Sequence, residues 1–135
     1  MNETGGPDPA SGSAAAPDVV LLAVDWQPRA LVRAQLIEEG LEVVATDSWP
    51  AMRRHLRPGS KPTVAIVDVK GLPDPAAVLR DLKVLMKPDR VFVLTAAGTI
   101  AATDVERLGF RALARPIAIG DLVVTVARTV RDSTR

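Results

Sequence analysis

Four polar residues stand at the ends of short apolar runs: Asp25 after residues 19–24, Asp68 after 63–67, Thr95 after 91–94 and Arg115 after 112–114. Brought together, these types can do chemistry. Two carboxylates at ligand distance can hold Mg²⁺, which prefers oxygen ligands and keeps several waters. A carboxylate beside such an ion can attack a phosphoryl group as a nucleophile. Taken singly, each has an ordinary explanation. Asp closes turns and caps helices, Thr favours strands, and Arg covers surfaces. The case for a site rests on whether the fold places them side by side.

The elements around them follow from the apolar pattern. The runs at 19–24, 41–45, 63–67 and 91–94, with a weaker one at 112–114, are continuous rather than alternating. Continuous apolarity suits strands covered on both faces, as in a parallel sheet. Helical spacing lies between them. Residues 28–39 carry Leu31, Val32, Leu36 and Ile37 and close on Gly40, a helix stop. Residues 74–86 open with Asp-Pro and place Val78, Leu82 and Leu85 on one stripe. Residues 121–130 do the same with Leu122, Val123, Val126 and Val130, and 48–56 and 100–108 make two shorter helices. Five β-α units in strict alternation predict an α/β fold, a doubly wound five-stranded parallel sheet in three layers. Its common strand order is 2-1-3-4-5. In that order the strands ending in Asp25, Asp68, Thr95 and Arg115 are neighbours, and their carboxyl ends form one rim.

Composition removes several alternatives. The chain has 135 residues, no cysteine and one histidine, His55. That excludes a disulfide scaffold, a thiol nucleophile, Cys-ligated zinc and an Fe–S cluster, and it argues against His-based catalysis or a His-rich metal site. Aromatic residues are 3% of the chain, too few for base-stacking platforms. Asp25-Trp26-Gln27-Pro28 stands where a Gly-x-Gly-x-x-Gly loop would follow the first strand, and there is no Walker-type loop. The opening segment 1–18 holds six of the twenty Gly and Pro residues and three acids but no base, and it is expected to be disordered. Removing it leaves 17 basic and 13 acidic residues on the expected domain, 19–131, and on a short C-terminal tail, 132–135. No segment reads as a signal peptide or membrane span. A soluble cytoplasmic protein is expected.

The stretches AVDWQP (23–28), PTVAIVDVKGLP (62–73), VFVLTAAG (91–98) and ALARPI (112–117), in this order, resemble a receiver domain of two-component response regulators, the CheY-like fold. The resemblance implies that Asp68 accepts a phosphoryl group from a histidine kinase and that Thr95 closes onto it. It places Arg115, before Pro116, where the family has a lysine that pairs with the phosphoryl oxygens. It assigns Mg²⁺ to Asp25, Asp68 and the backbone carbonyl of Lys70, and it implies a cis peptide at Arg115–Pro116. Partners would be a histidine kinase or another signalling protein. Self-association would use the face made by the fourth helix, fifth strand and fifth helix.

The departures from the family are specific. It usually has two adjacent acids after the first strand, and here there is one. Anchoring on Pro28 puts Trp26 in place of the second acid; counting back from Gly40 puts Val24 in place of the first. Arg115 brings a flat fork instead of a compact ammonium. Pro73 falls one place late, Ala76 stands where a glycine is usual, and the aromatic switch position falls on Ala112 or Leu113. The expectation is therefore a degenerate, stand-alone, non-enzymatic receiver-like domain, either phosphorylated at Asp68 with a weakened Mg²⁺ site or working as a phosphorylation-independent interaction module. A small flavodoxin-like ligand binder is the rival on the same fold. Arg53, Arg54, His55 and Arg57 form a basic cluster, but no separate recognition helix remains for DNA, so nucleic acid is disfavoured. Trp26 is expected to pack in the core or shield Asp25, with ligand stacking as the other use.

Overall fold

Three of the apolar runs become the centre of a sheet. The computed structural model describes residues 16–133. In it β1 (Val19–Leu22), β3 (Val64–Asp68) and β4 (Val91–Leu94) are buried along their whole length. The outer strands, β2 (Val43–Thr46) and β5 (Arg111–Leu113), are mostly half-buried. All four pairings are parallel and the order is β2-β1-β3-β4-β5, as the alternation of elements predicts.

Successive strand residues point to opposite faces, so the sheet sorts one apolar set into two cores. Val20, Leu22, Ala65, Val67 and Val93 face one way and meet Met52, Leu79, Leu82 and Val105. Those four come from α2 (Trp49–Arg53), α3 (Pro75–Leu85) and α4 (Ala102–Arg107). Leu21, Ile66, Phe92 and Leu94 face the other way and meet Val32, Leu36, Leu122 and Val126. These belong to α1 (Trp26–Glu38) and α5 (Ile119–Ser133).

The helices differ from the sequence reading at their ends. α1 begins at Trp26, two residues before the expected start, because Pro28 occupies the third position of the first turn, where no intrahelical N–H bond is needed. Of its four expected apolar contacts, Val32 and Leu36 are buried, whereas Leu31 and Ile37 flank the stripe and are exposed. Gly40 ends the helix with φ +86°, which a glycine adopts without a Cβ penalty. Leu41 lies outside β2 yet is buried, so the second apolar run is part connection and part strand. α5 continues to Ser133, so residues 132 and 133 close a helix rather than opening a tail. At the other end Asp18 is already tied in. Its carboxylate accepts from the Glu42 amide at 2.8 Å and its carbonyl from the Val64 amide at 3.0 Å. The expected disorder of 1–18 otherwise falls outside the described residues, on 1–15.

Candidate functional site

The pleat and register of the sheet bring Asp68 and Thr95 to one edge. Asp68 is the last residue of β3 and pairs in register with Leu94, the last of β4, so Thr95 follows immediately beside it. Arg115 lies two residues past β5 and reaches back across the sheet end. The Arg115–Pro116 peptide is cis, as the resemblance implies.

Asp68 is almost fully buried, at 2% exposure, and both its oxygens are engaged by the chain itself. Oδ1 accepts from the Lys70 amide at 3.0 Å, a turn in which an aspartate binds the N–H two residues on. Oδ2 accepts from Arg115 Nη2 at 2.5 Å. The same guanidinium donates through Nη1 to the Thr95 carbonyl at 3.1 Å. Thr95 in turn gives its amide (2.9 Å) and hydroxyl (3.3 Å) to the Leu113 carbonyl. The hydroxyl expected to face a phosphoryl group thus points at β5 backbone.

Asp25 sits just before α1, at the capping position, but its side chain makes no capping bond. Instead Lys70 Nζ lies 3.0 Å from Asp25 Oδ2, both groups being about half exposed. The Lys70 carbonyl was the expected contributor; its amide and ammonium are what engage the two acids. A cation two residues after the acid that ends β3 was the signal available in the sequence. Arg29 is a further contributor that residue types alone did not single out. Its Nη1 donates to the carbonyls of Ala23 and Val24 at 2.8 and 3.0 Å and fixes the loop that carries Asp25. Trp26 does not pack in the core, since it is 67% exposed at the start of α1.

This arrangement does not suit a resident Mg²⁺. The ion is held by the negative charge of its oxygen ligands. Here the Arg115 guanidinium offsets the charge of Asp68 and the Lys70 ammonium adjoins Asp25. Among the described residues no group of three acids, histidines or cysteines could hold a metal. Beside the Asp68–Arg115 pair opens a recess of about 520 Å³ walled by Pro28, Val32, Ile117 and Leu122. Its walls are apolar and its one polar feature is an ion pair already made.

The fold and rim define the molecule's class: it has the receiver-domain fold, with Asp68 at the end of β3 and two cations, Arg115 and Lys70, engaging the rim acids. Solved structures agree on the fold. A response regulator receiver domain protein from Clostridium thermocellum superposes with a TM-score of 0.72 at 20% identity, over 86% of this chain and 95% of that one. A CheY-like receiver domain protein from Methanospirillum hungatei JF-1 gives 0.73 at 15% identity, over 89% and 98%. An adenylate cyclase from Rhodopirellula baltica gives 0.69 at 18% identity, over 86% and 90%. No family model matches the sequence, and no curated protein does.

Proposed function

We propose that this chain is a non-enzymatic, receiver-fold docking module in two-component-type signalling, acting in the cytoplasm without phosphorylation of Asp68. One observation carries the reading: Asp68 is buried with both oxygens bonded, one of them to Arg115. A cation held on a carboxylate lowers its nucleophilicity, whereas phosphoryl transfer needs that positive charge on the phosphoryl oxygens. Arg115 supplies its charge to the nucleophile. The receiver fold and its rim geometry support a signalling partner such as a histidine kinase, engaged through surface contacts alone. No helix among the described residues is long and apolar enough to cross a membrane.

The test is direct. The protein is incubated with Mg²⁺ and acetyl phosphate and its mass is measured. No gain is expected; a gain of about 80 Da, one phosphoryl group, that disappears in Asp68→Asn overturns the reading and restores Asp68 as phosphoacceptor.

A further inference from the structure

Away from the rim, α2 and α3 leave a groove open between them. α2 is five residues long and packs on β1 and β2, while α3 runs for eleven residues alongside. Toward the carboxyl ends of the strands the groove is an apolar recess of about 450 Å³ with Asp47, Asp74 and Asp81 around it. Toward the amino ends it continues as a recess of about 420 Å³ with Arg53, Arg54 and Arg57 around it. Trp49 and Pro50 line both and form the ridge between them. Val84, one turn beyond Asp81 on α3, is 85% exposed, the most exposed of the large apolar residues described.

These charges are unspent. Asp74 caps α3 by accepting from the Ala77 amide, but the side chains of Asp47, Asp81, Arg53, Arg54 and Arg57 have no partner among the described residues. One groove therefore carries a negative end, an aromatic middle and a positive end. A surface of that pattern is complementary to itself when turned by a two-fold rotation about its middle. Each negative end then meets a positive end, and both contacts form at once, as an isologous interface requires. Aromatic anchors at the centre and charged groups at the periphery are how such interfaces are built.

We propose that two copies of this chain associate through the α2–α3 groove, about a two-fold axis at the Trp49–Pro50 ridge. The charges place self-association here, on the side of the sheet away from α5, rather than on the α4–β5–α5 face. The inference stands independently of how the Asp68 rim is read.

The test is sedimentation of the full chain at low and high salt. The wild type is expected to be a dimer that weakens as salt rises, since exposed charge pairs are screened. Arg53→Glu/Arg57→Glu and Asp47→Lys/Asp81→Lys, each alone, place like charges opposite and raise the dissociation constant by about a hundredfold or more. Mixed in equal amounts, the two variants regain opposite charges at both ends and form a heterodimer, which also demonstrates that each is folded. A wild type that stays monomeric at all concentrations overturns the proposal. So does a dimer that neither variant weakens, or a monomer that binds heparin and loses it in Arg53→Glu/Arg57→Glu.

Discussion

Arg115 is the residue on which the rim turns. Its guanidinium serves a buried carboxylate and a strand-end carbonyl together through two separate nitrogens of one rigid fork, whereas a lysine would bond both from a single nitrogen. Arg115→Ala leaves the Asp68 side chain buried without its cation, and breaking such a pair is expected to cost about 3–5 kcal/mol in a urea titration. Lys70→Ala should behave in the opposite way. The Lys70–Asp25 pair is about half exposed, so its loss costs under about 1 kcal/mol. The substitution leaves Asp25 a single carboxylate while Asp68 stays paired with Arg115, so calorimetry is expected to detect no more Mg²⁺ binding than in the wild type. If Lys70→Ala binds more Mg²⁺ than the wild type, the ammonium alone keeps the ion out. The four rim residues were legible in the sequence because each ends an apolar run. Their bonding was not. Residue types put cations and acids on one rim, but only side-chain geometry tells a guanidinium poised for a ligand from one already spent on Asp68.

At the scale of elements, the connections decide more than the strands. The loop after β3 turns at Gly71, with φ +83°, and a Cβ there would lie 3.2 Å from the Val24 side chain. Gly40 has a similar φ of +86° but open space around it. Alanine at Gly40 is therefore expected to cost about 1 kcal/mol from backbone strain alone. Alanine at Gly71 should cost more, about 1–3 kcal/mol, because it also pushes the segment carrying Asp25. Paired thermal unfolding curves check the order. Strand order and helix faces were readable because parallel strands buried on both sides write uninterrupted apolar runs. Boundaries slipped where one residue serves two readings. Pro28 fits the first or third position of a helical turn, and Leu41 is apolar because it is buried, not because it pairs.

The whole molecule is a sheet between two separate cores, and neither is spare. Leu79, fully buried under α3 in one of them, should lose about 2–5 kcal/mol as alanine, measured by denaturant unfolding. The short β5 edge is held from the second side. Arg111 stacks over the Phe92 ring at 4.5 Å and donates to Thr129 on α5 at 3.2 Å. An Arg111→Ala variant removes that cation–π contact, about 0.5–1 kcal/mol, and should raise amide exchange in β5 before it does so in β3. None of this was visible in the chain's near-neutral charge. The useful information was where the charges fall, on opposite ends of one groove and inside one rim.

A toggle needs two resting places, and on the proposed reading the bonded sheet end holds only one. Arg115 ties β3 to β4 while Thr95 ties β4 to β5, so three strand ends share a single bonded junction. A protein held in one posture carries no message in its shape. On the proposed reading, what a partner can register is occupancy: how many copies are present and how many are already engaged. Synthesis and proteolysis, acting over minutes, would then set the dose that a covalent mark sets elsewhere in seconds.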